Sequence, residues 1–139
     1  MDAPASDSPC PCGSGAALAA CCAPFLTGDA HAPTAEALMR SRYTAYVLGA
    51  ADYLLATWHA DNRPASLDLD EAQNWLGLKV LRTEQGDTQS DKGLVEFVAR
   101  FKIAGRGHRL HEISRFSRIG DQWFYLDGER GATDSSLKG

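Results

Sequence analysis

Four cysteines stand close together near the beginning of the sequence, and their spacing indicates a metal site. They all lie in the segment CPCGSGAALAACC, as Cys10, Cys12, Cys21 and Cys22. The members of each closely spaced pair are too near along the chain to form an unstrained disulfide. Four thiolates suit Zn²⁺, which takes a closed tetrahedral site when its role is structural. We expect zinc, with iron as the runner-up, and the alternatives are redox-active thiols or thiols without a function.

The residues between the thiols resemble the SEC-C motif, the small zinc module at the C-terminal tail of the SecA translocation ATPase and in many bacterial proteins. The matching pattern is C-x-C-G-S-G followed by C-C. The glycines of the segment 13–15 allow a tight turn whose amides point toward sulfur. Residues 16–20 predict a short helical turn that Pro24 ends. Residues 16–18 are Ala-Ala-Leu where that family is usually basic, so the resemblance does not carry its partners to this chain.

The composition predicts one globular domain with a small appendage. Hydrophobic residues make up 44% of the 139 residues, enough for a core, and the formal net charge of -4 argues against a protein that coats nucleic acid. No stretch approaches the roughly 20 apolar residues of a membrane helix. The first nine residues lack the basic and apolar segments of a secretory signal. We therefore expect a cytoplasmic protein with no membrane association.

Beyond residue 28 the sequence pattern is first helical and then, after about Leu76, strand-like. This order predicts an α+β fold with helices packed on a curved antiparallel sheet. Thr34 is a good N-cap for a helix that ends at Leu48, before Gly49. The predicted buried positions of this helix are Met39, Tyr43, Tyr46 and Val47. A second helix is expected over 52–58, and a third begins at a capping box, Asp68 to Glu71, and ends near Leu76. The predicted strands are 78–85, 92–103, 108–119 and 122–127.

These patterns divide the chain into three expected units. Residues 1–28 form the metal module with a disordered N-terminal arm, residues 29–130 the α+β domain, and residues 131–139 a disordered tail. Residues 28–33 are rich in glycine, alanine and proline and are expected to be a hinge between the module and the domain.

The strand register predicts which side chains face the helices. If Ile103 lies opposite His108, then Glu96 faces Arg115 on the outer side of the sheet, and Glu112 points inward as a carboxylate in an apolar surrounding. A second hairpin, closed by residues 120–121, adds further inward side chains. The predicted inner surface is aromatic, and its polar members are Glu112, Ser114, Tyr125 and Asp127.

Helices wrapped by such a sheet resemble the cone of the nuclear transport factor 2-like fold, which carries enzymes such as ketosteroid isomerase and also binding or dimerising domains. The segments APTAEALMRSRYTAYVLGAADYLLATWH, GLVEFVARF, LHEISRF and QWFYLDG further resemble the YchJ-like bacterial proteins. Those proteins join a SEC-C module to a domain of this fold, and the resemblance runs from Cys10 to about Gly128. It implies a zinc module and a cone with a pocket, and it leaves a homodimer open.

Three functions are compatible with these residues. The leading hypothesis is a non-catalytic adaptor that binds a protein partner or a small ligand; its expected pocket residues are Arg42, Tyr46, Trp58, Glu112, Ser114 and Tyr125.

The rival is a lyase, isomerase or hydrolase, for which Glu112, Asp127 and Tyr125 are weak catalytic candidates. Against that role, Glu112 is expected to hold Arg42 or Arg40 in a structural ion pair, the other arginine facing solvent. The third hypothesis, contact with RNA or the ribosome through the basic hairpin 100–118, is the least favoured because exposed aromatics are not expected beside the charges.

Overall fold

Helices precede strands along the chain, and the predicted α+β class is confirmed. The computed structural model describes residues 8–67, 69 and 73–130. A short 3₁₀ turn at Leu18–Ala20 is followed by three helices, α1 (Ala23–Leu26), α2 (Ala35–Leu48) and α3 (Ala51–Ala56). Four strands then follow: β1 (Gln73–Gln85), β2 (Lys92–Ile103), β3 (Arg106–Ile119) and β4 (Gln122–Arg130). Among the helices of the described residues, none is long and apolar enough to cross a membrane.

Helix α2 has the bounds that its capping residues predict. The side chain of Thr34 accepts a hydrogen bond from the Ala37 amide at 3.0 Å, and Gly49 ends the helix in a left-handed conformation with φ 77°. The helix is buried on more sides than its apolar spacing predicts, since the polar residues Ser41 and Thr44 are fully buried as well. This burial arises because the sheet covers one side of α2 and the metal module and α3 cover others.

The sheet is antiparallel throughout, with the strand order β1-β2-β3-β4. The predicted pairing of Ile103 with His108 is wrong by two residues, because Ile103 lies opposite Arg106. A two-residue loop makes the tighter hairpin possible: Ala104 and Gly105 both have positive φ, 54° and 80°, as a type I′ turn requires. A shift of two residues leaves every side chain on its predicted face, so Glu112 still points toward the helices.

A bulge in the last hairpin overturns the prediction for Asp127. The register is interrupted between Arg115 and Phe116: Phe116 lies opposite Tyr125, whereas Arg115 lies opposite Asp127. The bulge turns Asp127 to the outer face, where its Oδ1 accepts a hydrogen bond from Arg115 Nε at 2.6 Å. Asp127 is therefore not an inner polar group.

The predicted third helix is wrong where the structure describes it. Residues 73–76 belong to strand β1, which begins five residues earlier than the predicted residue 78; the rest of that prediction, residues 68 and 70–72, lies outside the described residues. Trp75 explains the strand, because its ring packs against Phe101 of β2 (5.1 Å between centroids) and Tyr43 of α2 (5.5 Å). Pro24 is also misassigned, since it lies in the first turn of α1 and ends no helix.

The cysteine segment and the α+β domain share one hydrophobic core. Cys10, Cys12, Cys22 and Leu18 are buried in the same cluster as Leu38 and Met39 of α2. The segment expected to be a hinge is held to the sheet as well, because the Trp123 indole donates a hydrogen bond to the Pro33 carbonyl at 3.1 Å. The metal module is therefore packed onto α2.

Candidate functional site

The four cysteine sulfurs converge on one point. Their Sγ atoms all lie within 4.8 Å of one another. Within this group the Cys12–Cys21 separation is 3.6 Å and the Cys21–Cys22 separation is 3.9 Å. Gly13 and Gly15 adopt positive φ, 79° and 92°, and these left-handed residues bend the chain back toward the sulfurs.

The sulfur geometry fits a tetrahedral metal site. With Zn–S bonds of about 2.3 Å, the edges of a tetrahedron of sulfurs measure about 3.8 Å, close to the two separations above. All four ligands come from this chain, so a bound Zn²⁺ has no open position for a substrate. The donor set is soft, and three of its four cysteines are buried, which suits zinc and also iron. The cluster therefore has the form of a closed structural metal site.

Hydrogen bonds between the thiols shift their pKa values in opposite directions. Hydrogen bonding from Cys22, together with the hydroxyl and backbone of Ser14, lowers the pKa of Cys12 to about 4. The same Cys12–Cys22 hydrogen bond raises the pKa of Cys22, and burial adds to that rise. Burial is also the main cause of the raised pKa of Cys21. The lowered pKa of Cys12 favours a thiolate at that position, and a divalent cation that binds the cluster displaces protons from the thiols that become its ligands.

Helix α2 supplies polar groups that support the cysteines. The Thr44 hydroxyl lies 3.6 Å from Cys10 Sγ, and Arg40 donates from Nη1 to the Cys12 carbonyl at 2.9 Å. Arg40 also pairs with Glu36 at 2.9 Å, so it neither faces solvent freely nor pairs with Glu112 as expected. Neither role was predicted from the sequence. The available signal was that Arg40 and Thr44 lie four residues apart, on one face of the helix.

Removal of the Thr44 hydroxyl is expected to weaken metal binding without unfolding the chain. Thr44→Val keeps the shape of the side chain but leaves Cys10 without its hydroxyl neighbour, and groups of this kind support affinity by about tenfold or more. Competition with a chromophoric chelator measures the change. Thr44→Ser is the matched control, since it keeps the hydroxyl and should retain most of the affinity. Equal affinity in all three proteins would rule out this supporting role.

A cavity of about 310 Å³ lies between α2 and the inner face of the sheet. All six residues expected to form a pocket lie along it: Arg42, Tyr46, Trp58, Glu112, Ser114 and Tyr125. The sequence analysis did not name several aromatic and apolar members of the wall, among them Trp75, Phe97, Phe101 and Leu110. The volume is at the lower end of the range of about 300–1,000 Å³ that is usual for small-molecule sites. The cavity is thus large enough for a small organic molecule.

Hydrogen bonds fix the carboxylate of Glu112 in the wall of this cavity. Its Oε2 accepts hydrogen bonds from the Ser114 hydroxyl at 2.6 Å and from the Tyr125 hydroxyl at 3.2 Å. Burial is the main reason that the pKa of Tyr125 is raised, and the nearby carboxylate raises it further. The expected ion pair of Glu112 with Arg42 or Arg40 is wrong, since the ion pairs of the described residues join neither arginine to it.

The outer face of the sheet carries a separate set of charged pairs. His111 Nε2 lies 2.6 Å from Glu96, which also pairs with Arg82 at 2.7 Å. In the basic hairpin, Arg115 pairs with Asp127 and Arg118 with Asp91. These carboxylates neutralise part of the basic face and lessen its attraction for a phosphate backbone.

Comparison with known families agrees with the two parts of the fold. The family described as "YchJ, middle NTF2-like domain" matches residues 34–128, and the SEC-C motif matches residues 8–24. The chain is 55% identical to a UPF0225 protein of Chromobacterium violaceum over 123 residues, which cover 86% of this chain and 90% of the relative. A UPF0225 protein of Streptomyces coelicolor is 52% identical over 121 residues, covering 87% of this chain and 94% of the relative.

Two solved structures have the same fold. The solution structure of a SEC-C motif containing protein from Rhodopseudomonas palustris has a TM-score of 0.79 and 36% identity, covering 88% of this chain and 98% of that one. The crystal structure of a SEC-C motif containing protein from Psychrobacter arcticus has a TM-score of 0.75 and 27% identity, covering 94% and 86%. The cysteine module and the cone are therefore shared with both proteins.

Proposed function

Because this chain belongs to the YchJ family, with an N-terminal SEC-C motif followed by a middle NTF2-like domain, we propose that it is a zinc-binding protein that works by binding and not by catalysis. The zinc has a structural role, and the bound molecule is a small ligand held in the cone. The observation that carries the proposal is the closed set of four sulfurs, which leaves no position for a substrate on the metal.

The packing of the module supports a link between zinc and the cone. Helix α2 contacts the cysteines through Arg40 and Thr44. Two residues after each of them on the same helix, Arg42 and Tyr46 line the cavity. A metal that orders the module therefore also orders one wall of the cavity. Iron in place of zinc would preserve this structural role.

An enzyme acting inside the cone is the second candidate, and one observation favours it. Glu112 lies on the cavity wall beside the Ser114 and Tyr125 hydroxyls, so a carboxylate and two proton donors share one site. Asp127, the other weak catalytic candidate, lies on the outer face and does not take part. Binding is preferred because Glu112 Oε2 is already the acceptor for both hydroxyls and is thereby held in the wall.

Native mass spectrometry of the untagged protein tests the proposal. We expect a mass excess of one zinc per chain and, in protein taken from its own cells, a reproducible small-molecule mass that denaturation releases. The released molecule should be recovered unchanged after prolonged incubation with fresh protein. A chain without metal would overturn the zinc proposal, and conversion of the released molecule into a product would favour the enzyme.

A further inference from the structure

Arg42 is a buried cation in the wall of the cavity. Only 6% of its surface is exposed, and burial is the largest influence on its pKa, which is lowered. Within the described part of the chain no carboxylate lies within salt-bridge distance of its guanidinium. Since a buried charge is normally paired, this arginine needs an explanation other than a structural ion pair.

The hydrogen bonds of Arg42 use one side of the guanidinium. Nη1 donates to the Leu54 carbonyl at 2.8 Å and to the Thr57 hydroxyl at 2.7 Å, and these bonds anchor the group to the end of α3. Nε and Nη2 form no hydrogen bond to any described residue. Because a guanidinium has five N–H donors in a fixed planar fork, the edge formed by Nε and Nη2 is left to receive an acceptor.

Aromatic rings hold this guanidinium in position. Its Cζ lies 5.1 Å from the centre of the Trp58 ring and 4.7 Å from that of Tyr125, both within the range of a cation–π interaction. Trp58 is itself a buried donor without an acceptor, since its indole Nε1 has no hydrogen-bond partner among the described residues. The wall beside this guanidinium is otherwise largely aromatic or aliphatic.

We propose that the cavity binds a small aromatic or apolar monocarboxylate, whose carboxylate takes two hydrogen bonds from the Nε–Nη2 edge of Arg42. The inference rests on the proposed binding function and names the class of its ligand. A planar fork that donates two parallel N–H groups matches a carboxylate in geometry and charge, and such charge-assisted bonds are among the strongest in proteins. The apolar body of the ligand lies against the rings of Trp75 and Phe101.

The charges of the cavity favour a single negative charge on the ligand. Besides the carboxylate of the ligand, the cavity would contain that of Glu112 on the same wall, and the charge of Glu112 acts to raise the pKa of Arg42. Among the described residues of the cavity wall, a phosphate dianion meets one arginine and one carboxylate, whereas phosphate sites usually gather several donors or a helix N-terminus. A neutral amide of the same shape gains the apolar contact but not the charge-assisted pair.

Three probes of nearly the same shape test the ligand class: 3-phenylpropanoate, 3-phenylpropanamide and 3-phenylpropylamine. We expect the carboxylate to bind about tenfold or more tightly than the amide, and the amine most weakly, as followed by the indole N–H signal of Trp58 in NMR titrations of the zinc-loaded chain. Equal affinity for the carboxylate and the amide would overturn the role of Arg42 while leaving a binding cone in place. Tighter binding of phenyl phosphate, or binding of none of the probes, would also overturn the carboxylate class.

Substitution of Arg42 distinguishes a direct contact with the ligand carboxylate from a general electrostatic attraction. Arg42→Met should remove the preference for the carboxylate over the amide, and Arg42→Lys should keep only part of it, because the ammonium lacks the planar fork. Arg100→Met is the matched control, since Arg100 is exposed at the sheet surface and should leave the preference unchanged. If the two methionine variants behave alike, the inference is wrong. Should Arg42→Met fail to fold, the lysine variant and the probe comparison on the unchanged chain still decide the question.

Discussion

Replacement of Cys22 by serine is expected to remove the zinc and to lower the free energy of unfolding of the whole chain by more than about 3 kcal/mol. The expectation follows from where the thiol lies. Cys22 is 1% exposed, occupies the N-cap position of helix α1 without a side-chain capping bond, and belongs to the cluster that also contains Leu38 and Met39 of α2. Loss of one ligand leaves the other thiolates buried without a metal, and the core must rearrange around them.

The same packing predicts that unfolding stays cooperative. If the module were only tethered to the cone, removal of zinc would unfold residues near the N-terminus and leave the sheet intact. Since Cys10 and Cys12 are buried in the core shared with α2, chelation should instead lower the melting temperature of the tertiary signal from Trp75 and Trp123. A zinc-dependent melting temperature of that signal would therefore show that the module is an integral part of the fold.

Metal content by mass spectrometry and thermal unfolding by near-ultraviolet circular dichroism together check this prediction. Ser14→Ala is a graded control, because Ser14 contacts Cys21 Sγ at 3.1 Å without being a ligand, and it should keep one zinc per chain. A Cys22→Ser protein that retains its zinc and its melting temperature would show that Cys22 is not a zinc ligand and would contradict the closed four-sulfur site. Loss of zinc with an unchanged melting temperature would show that the module folds independently of the cone.

The features that the sequence predicted well are those encoded by neighbouring residues. The C-x-C-G-S-G…C-C spacing places the ligands of one site within thirteen positions, so no knowledge of the remote chain was needed. Thr34 and Gly49 define α2 in the same local way, through a side-chain cap and a left-handed glycine. The alternation of side chains along the strands predicted that Glu112 and Ser114 lie on the inner face. That prediction is correct although the predicted register is wrong by two residues, because a shift of two leaves each side chain on the same face.

The errors arose where a remote contact or a single backbone irregularity decides the outcome. A bulge beside Phe116 turned Asp127 outward, and the residue at its extra position, Leu126, is of an ordinary strand type. Arg40 and Arg42 look equivalent in the motif MRSRY, yet one reaches the Cys12 carbonyl and the other the end of α3. Those destinations depend on how the module and α3 pack on α2, which the local sequence does not specify.

Gly93→Ala is expected to destabilise the fold by about 2–4 kcal/mol, because there is no space for a side chain where β1, β2 and α2 meet. A Cβ at Gly93 would lie 2.6 Å from the Cα of Gly86 and 2.8 Å from the Cβ of Ala35. The neighbours cannot give way easily. The Ala35 amide donates to the Gly86 carbonyl at 2.9 Å, so the first turn of α2 is bonded to the loop that the new methyl group would push.

The consequence of that displacement extends beyond stability, since α2 carries Thr44 toward the metal and Arg42 into the cavity. Gly93→Ala should therefore weaken both zinc retention and carboxylate binding, although Gly93 touches neither site. Gly107→Ala is the matched control: Gly107 lies in strand β3, and apart from its chain neighbours no atom of the described residues lies within 4 Å of its Cβ position, so the same methyl group should change the free energy of unfolding by less than about 1 kcal/mol. Chemical denaturation of both variants, with zinc content measured in parallel, makes the comparison. Equal stability of the two alanine variants would mean that the contact among Gly86, Gly93 and Ala35 does not position α2, and the coupling between metal and cavity would then need another route.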